Sequence, residues 1–288
     1  MNLKKLPFAL FILFLTCLKT EIRAQQLGLQ INAGLMNYGG DLQTKVYTFN
    51  EAELTAGANV LYQVNNFVLR AGFTYGSIQG DDKKIQQFVH RNLNFKSTIT
   101  EASLCLEYDF FSADKDRKLI PYIFAGIGVY HYNPYTTYNS QKVYLQPLGT
   151  EGEGLSIYPH RKIYSLTNLE DPFGIGVKYK LSSNFLIGIE FNSRFLYTDY
   201  LDDVSRTYPD ENELFKQRGQ LAVDVSFRGD EVDPGLHYPS GNKRGNPKQD
   251  DNYYTSVITL TYLFSNNSFF GNSFGHNKHS LSCPKKVH

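Results

Sequence analysis

Residues 52–75, AELTAGANVLYQVNNFVLRAGFTY, decide the fold. Ala52, Leu54, Ala56, Ala58, Val60 and Tyr62 recur at every second position, with Glu53, Thr55, Gly57, Asn59, Leu61 and Gln63 between them. A period of two marks a strand whose two faces meet different surroundings. Asn65 and Asn66 then turn the chain into Phe67, Leu69, Ala71, Phe73 and Tyr75, so the two stretches read as a hairpin.

The same period recurs on either side. Leu27, Leu29, Ile31, Ala33 and Leu35 alternate with Gly and polar residues. From 94 to 110 Ala102, Leu104, Leu106, Tyr108 and Phe110 share one face, with Glu101, Ser103, Cys105, Glu107 and Asp109 on the other. Phe95 and Ile99 fall out of phase with that set, which predicts a β-bulge near Thr100. PYIFAGIGVYHY (121–132), PFGIGVKYKL (172–181), FLIGIEFNSRFLY (185–197) and YYTSVITLTYLF (253–264) complete eight strands. Their connections alternate in size. Those at 64–66, 112–118 and 182–184 are short, whereas 37–51, 77–93, 133–170 and 198–252 are long. An even number of antiparallel strands joined by short turns and long loops is the pattern of a transmembrane barrel, with turns in the periplasm and loops outside.

The rest of the chain fits export. Of 288 residues, 29 are Lys or Arg and 28 Asp or Glu, and the net charge of +1 comes from the first 24 residues. A nearly neutral chain without a basic block has no electrostatic footprint for nucleic acid. Residues 1–24 place Lys4 and Lys5 before an apolar run from Leu6 to Leu18, with Ala24 ahead of a polar stretch, and read as a signal peptide. Thirteen apolar residues are too few for a spanning helix. The mature chain keeps only Cys105 and Cys283, which excludes a disulfide framework. The domains expected are thus a signal peptide (1–24), a barrel (25–264) and a periplasmic tail (265–288) that is disordered on its own.

The face turned away from lipid carries Glu53, Arg70, Glu101, Glu107, Lys178, Glu190 and Arg194. An eight-stranded barrel is only wide enough to be filled by side chains, so these charges are expected to pair and plug the lumen. The 133–170 loop holds Tyr135, Tyr138, Tyr144, Tyr158 and Tyr164, and its border residues Tyr130 and Tyr132 suit an aromatic girdle. ENELFKQRGQLAVDVSF (211–227) reads as a short helix over the barrel mouth, burying Leu214, Phe215, Leu221 and Val225, with Gly219 as its weak point.

Several stretches resemble the PorG-like outer-membrane β-barrels: NYGGDL (37–42), YGSIQGDD (75–82), RNLNFKSTITEASLCLEYDFF (91–111), PYIFAGIGVYHYNP (121–134), YLQPLGTEGEG (144–154), PFGIGVKYKL (172–181), TDYLDDVS (198–205) and GNKRGN (241–246). The resemblance covers nearly all the mature chain. It implies a structural or anchoring component of a type IX secretion apparatus, without chemistry of its own, contacting a periplasmic ring made of a lipoprotein and its partner. The last strand ends on Phe264 and resembles the terminal aromatic signal read by the barrel assembly machinery, here followed by 24 further residues.

Two other functions have candidate residues. A rim enzyme would draw on His90, His131, His160, His237, Asp199, Asp202 and Asp203, though none lies in a nucleophile motif such as GxSxG. A Ca²⁺ site would draw on the carboxylates of TDYLDDVS with Asp230, Glu231 and Asp233, although the order of a calcium loop is missing. The expectation is therefore no catalytic, cofactor or metal site. A general small barrel serving envelope stability or ligand adhesion is the alternative to the secretion role.

Overall fold

A computed structural model describes residues 25–43, 48–85, 87–111, 117–248 and 250–264. The signal peptide, the 265–288 tail and the centre of the 112–118 turn lie outside the described residues. The strands are β1 (Gln26–Gly39), β2 (Glu53–Val64), β3 (Phe67–Asp81), β4 (Asn94–Asp109), β5 (Leu119–His131), β6 (Tyr135–Tyr138), β7 (Gln141–Tyr144), β8 (Thr167–Lys180), β9 (Phe185–Leu196) and β10 (Asn252–Leu263). Two short helices, α1 (Glu211–Arg218) and α2 (Gln220–Ser226), follow β9.

All strands but β6 and β7 close into an eight-stranded antiparallel barrel, with β10 pairing back onto β1. Successive partners run Leu27, Tyr62, Leu69, Leu106, Ala125, Phe173, Ser193 and Tyr254, and the circuit returns to β1 at Asn37. The chain thus climbs ten residues per turn of the barrel. For eight strands this shear implies a tilt of about 40° and an interior just wide enough for side chains.

The outer surface explains the period of two. Leu29, Ile31, Val60, Leu69, Phe73, Leu104, Leu106, Ile123, Ile127, Ile175, Ile187, Ile189, Ile258 and Leu260 all point outward and are exposed. Near the short turns the belt is edged by outward aromatics: Phe67 against Tyr108 at 5.1 Å between ring centroids, and Phe185 against Tyr262 at 5.0 Å. Near the loops it is edged by Phe173 against Phe195 at 4.8 Å and Phe191 against Tyr254 at 6.3 Å. A closed barrel with an apolar belt between aromatic girdles is a transmembrane barrel of the outer-membrane type. Among the described residues no helix is long and apolar enough to cross a membrane.

Four expectations are corrected. There is no bulge at Thr100: β4 keeps one register against β3 from Tyr108 to Asn94 and one against β5 from Asp109 to Thr100. Phe95 and Ile99 are simply interior residues, because β4 continues beyond the lipid and its apolar side then becomes the inner one. The same inversion occurs in β1, where Met36 and Tyr38 turn inward after outward Ile31, and in β3, where Ile78 does so after outward Tyr75. For this reason β1 and β3 run on to Gly39 and Asp81, and the loops after them are shorter than expected.

Tyr130 and Tyr132 follow the same rule. They are fully buried and stacked on each other at 5.6 Å between centroids, so they do not belong to the girdle. With Met36, Tyr38, Ile78, Phe95, Ile99, Leu196 and Tyr253 they form an apolar core that loop residues Leu42, Leu93, Leu145, Leu201, Val204 and Val225 complete. Each such side chain contributes about 1.5–3 kcal/mol, which offsets the entropy of ordering the loops. The result is an external cap built on strand extensions.

The expected helix over 211–227 is two helices, broken where Gly219 adopts φ 84° and ψ 177°. Its first turn is capped by Asp210, whose side chain accepts from the Glu213 N–H. The break resets the helical phase. Leu214 and Val225 are buried as expected, but Phe215 and Leu221 are exposed, and Ala222 and Val223 are buried in their place.

Candidate functional site

The lumen is the first place to look for function; its middle is filled, while a cleft of about 190 Å³ opens at its periplasmic mouth beside Asp109, Lys178 and Ser182. From β3, Arg70 donates to Glu190 of β9 through Nη1 at 2.7 Å and Nη2 at 3.3 Å, and to Glu107 of β4 at 3.1 Å. The Tyr122 hydroxyl donates to Glu190 at 2.7 Å. Lys178 of β8 bridges Asp109 at 2.8 Å and also reaches Glu107. Nearer the cap, Arg194 of β9 pairs with Glu101 at 3.0 Å, and Tyr253 donates to Glu101 at 3.0 Å and to Glu170.

Of the charges expected inside, Arg70, Glu101, Glu107, Lys178, Glu190 and Arg194 are all there and buried. Glu53 is not. It lies above the lumen and pairs with Lys96 at 2.8 Å, because β2 starts at the level of the cap. Asp109 and Glu170 complete the network and were missed. Asp109 shares the parity of Glu107, which is enough to read it as an inner residue, whereas Glu170 falls within the 133–170 loop of the sequence reading. The space left amid Arg70, Glu101, Glu190 and Arg194 is a cavity of about 20 Å³. That is room for about one water, not a pore.

The cap is held by a second polar network. Glu151 accepts from the Ser205 and Arg206 N–H groups at 2.9 and 2.7 Å and from Arg244 at 3.2 Å. Asp203 accepts from Tyr164 at 2.7 Å and from Thr150, and lies 3.7 Å from Arg244. Arg91 clasps Asp82 with bonds of 2.7 and 2.6 Å and donates to the carbonyls of Arg244 and Asp41, tying three loops together. Burial pushes the Glu153 carboxyl up to about 8, reinforced by Glu151 and Asp203 beside it. Asp199 is pushed up to about 7, and Asp203 to about 6, again chiefly by burial.

These contacts account for Asp202, Asp203 and Glu231 among the expected candidates, whereas Asp199 takes part in none of them. Asp202 accepts from the Tyr38 hydroxyl at 2.6 Å and from the Val204 N–H at 2.8 Å, so both of its oxygens serve the cap. Glu231 is taken by Arg228 at 2.8 Å. Among the described residues no three His, Cys, Asp or Glu side chains converge on a point that could hold a metal ion. His90, His131, His160 and His237 are exposed. His131 shares a hydrogen bond with Thr167 at 2.9 Å, and none of the four is hydrogen-bonded to Asp199, Asp202 or Asp203. The four histidines are therefore separated from the aspartates, of which Asp199 and Asp202 lie close together in the cap. Cys105 is a buried free thiol in the lumen wall.

Two of the loop tyrosines do present a surface. On the β6–β7 hairpin, Tyr135 and Tyr144 flank Lys142, whose ammonium lies 3.8 and 4.8 Å from their ring centroids. Tyr138 and Tyr164 pack into the cap core instead.

Comparison with solved structures returns small bacterial barrels. Neisserial surface protein A is 9% identical over 84% of this chain and 100% of its own, with a TM-score of 0.44. Ail, the attachment invasion locus protein of Yersinia pestis, in complex with the heparin analogue sucrose octasulfate, is 9% identical over the same shares, with a TM-score of 0.40. The N-terminal β-barrel domain of OprF from Pseudomonas aeruginosa is 12% identical, again over 84% and 100%, with a TM-score of 0.35. Comparison with curated proteins finds no match. A family described as a domain of unknown function, DUF6089, matches residues 5–150, from the amino-terminal segment through the first five barrel strands to the external loop after them, and the chain belongs to that family.

Proposed function

We propose that this protein is a non-enzymatic outer-membrane anchor, and that it serves as the membrane component of a type IX secretion apparatus, contacting a periplasmic ring of a lipoprotein and its partner. The observation that carries the anchoring role is the plugged middle of the lumen: Arg70, Glu107, Glu190 and Tyr122 meet across it and leave about 20 Å³ at that level. A barrel closed in this way offers a fixed outer surface and two faces rather than a conduit. The secretion role rests on the resemblance of the sequence stretches quoted above to PorG-like barrels. The periplasmic contact for such a ring falls on the short turns, with Asn65, Asn66, Ser182, Ser183 and Asn184 among them, or on the 265–288 tail expected from the sequence.

Affinity capture from detergent-solubilised outer membranes, with a tag in an external loop, tests the proposal. Co-purification of a periplasmic lipoprotein and its partner supports it. Recovery of the barrel alone, where other membrane complexes survive, removes the secretion role and leaves the second reading, a small barrel for envelope stability or adhesion. That reading is favoured by the ordered external cap, with Lys142 displayed between Tyr135 and Tyr144.

A further inference from the structure

The loops carry a basic groove that neither the lumen nor the proposed periplasmic contact uses. It is an open cleft of about 490 Å³ on the cap, lined by Arg161, Arg206, Lys243 and Lys248 with Thr207 and the 245–247 backbone, and the Asp41 carboxylate lies beneath its floor. Four cations on one cleft stand out in a chain whose net charge is +1.

The groove is built rather than accidental. Thr207 and Lys243 form an antiparallel bridge, extended by the Tyr208 N–H to the Asn242 carbonyl at 3.0 Å and by the Arg244 N–H to the Arg206 carbonyl at 2.8 Å. Arg161 comes from another loop and is pinned by the Thr207 carbonyl and hydroxyl at 3.0 and 2.7 Å, with its guanidinium over the Tyr158 ring at 4.3 Å. Gly245 allows the segment to lie against Asp41, where a Cβ would come within 2.6 Å of the carboxylate. The Asn246 N–H donates to that same carboxylate at 2.6 Å.

The groove charges are also not neutralised by carboxylates, and Arg161 donates only to neutral groups, the Thr207 carbonyl and hydroxyl and the Glu151 carbonyl. Arg91, Arg228 and Arg244 in the same cap each have a carboxylate partner. Among the described residues, Arg161, Arg206, Lys243 and Lys248 form no salt bridge. Like charges gathered in one cleft repel each other and raise the local concentration of anions. Guanidinium and ammonium groups together suit phosphate, the first by paired hydrogen bonds and the second as a point charge.

We propose that this groove binds closely spaced phosphate groups, and that their source is the phosphorylated glycolipid of the outer leaflet around the barrel. Height favours that source. Asp41, which anchors the groove floor, sits in the turn that follows Gly39, four strand residues beyond Leu35, where the outward apolar row of β1 ends, hence about 10 Å above the belt. The groove therefore stands among the first sugars of such a lipid. The proposal needs only the external placement of the loops and is independent of any periplasmic partner.

The test uses the full-length barrel in detergent and three probes: inorganic tripolyphosphate, the phosphorylated glycolipid in micelles, and the same glycolipid after phosphatase treatment. The variant Arg206→Glu/Lys243→Glu/Lys248→Glu is compared with Lys83→Glu/Lys84→Glu/Lys216→Glu, which changes the net charge equally outside the groove. Both are first shown to fold as heat-resistant barrels. The expected result is that the phosphorylated glycolipid binds the wild type and the control at least tenfold more tightly than the groove variant, that phosphatase removes the difference, and that the preference weakens steeply between about 50 and 200 mM salt. Equal binding by the groove variant and the control overturns the site. Binding of tripolyphosphate with no discrimination between the two glycolipid forms overturns the assigned source, and binding of none of the probes overturns the proposal.

Discussion

Arg70 and Glu190 stand on opposite walls of the barrel, β3 and β9, and are joined by two hydrogen bonds of 2.7 and 3.3 Å across the lumen. The pair is 120 residues apart in the chain and buried at both ends. A buried charge deprived of its partner costs about 3–5 kcal/mol, whereas removing both members costs much less than the sum. Arg70→Ala and Glu190→Ala should therefore each destabilise strongly, and the double variant should show a coupling of at least about 1 kcal/mol. Urea unfolding in lipid vesicles measures the cycle, and simple additivity would mean the diameter is not held by this pair.

Leu104 and Glu107 sit three residues apart on β4 and face opposite ways, Leu104 exposed to lipid and Glu107 buried in the lumen. Leu104→Arg should cost about 2–4 kcal/mol if the site lies near the bilayer midplane, and should reduce assembly. Glu107→Gln should be milder, because Arg70 keeps Glu190 and Lys178 keeps Asp109. The yield of folded, heat-resistant barrel decides between them. Equal tolerance at both positions would contradict the assignment of faces.

Gly219 holds the break between α1 and α2 in a backbone region open essentially only to glycine, and a Cβ there would meet nothing within 4 Å. Gly219→Ala thus isolates the backbone cost, about 1–3 kcal/mol. The effect should appear as faster proteolysis of the 211–226 segment, with the barrel's own unfolding midpoint unchanged.

Glu153 is buried beside Glu151 and Asp203 in the cap, and its carboxyl is raised from an ordinary 4.5 to about 8. A carboxyl whose folded value is raised favours the cap while it is protonated. Its contribution is complete below about pH 4.5 and is lost as pH rises towards 8. Asp199 and Asp203 act in the same direction over lower windows, ending near 7 and 6. Limited proteolysis of the loops should be slower at pH 5 than at pH 8.5, and Glu153→Gln should flatten that difference. An unchanged pH profile in the variant would assign the effect elsewhere.

The barrel was legible because lipid and lumen impose opposite demands on alternate residues. Leu104 and Glu107, or Ile189 and Glu190, declare their faces without any knowledge of their neighbours in space. The same contrast misled where its meaning reverses. Phe95 and Ile99 looked out of step with Leu104, yet the backbone never slips, and only the solvent outside the strand changes from lipid to water. The cap was not legible, since its contacts join distant residues with no local period: Glu151 meets Arg244 over 93 positions and Tyr38 meets Asp202 over 164. The basic groove was hidden for the same reason, with Arg161 and Lys243 contributed by separate loops.

The constant registers of the wall have a mechanical meaning. A strand sliding by one residue would exchange its faces, carrying Glu190 into the lipid and Ile189 into the lumen. A slide by two would keep the faces but separate the cross-lumen ion pairs. Small continuous motions of the wall are thus blocked at every step, and the barrel behaves as a rigid post. Events on the cell surface and at the periplasmic turns are joined through a body that transmits position but not shape, so a partner below would sense the presence and orientation of this protein rather than the state of its loops.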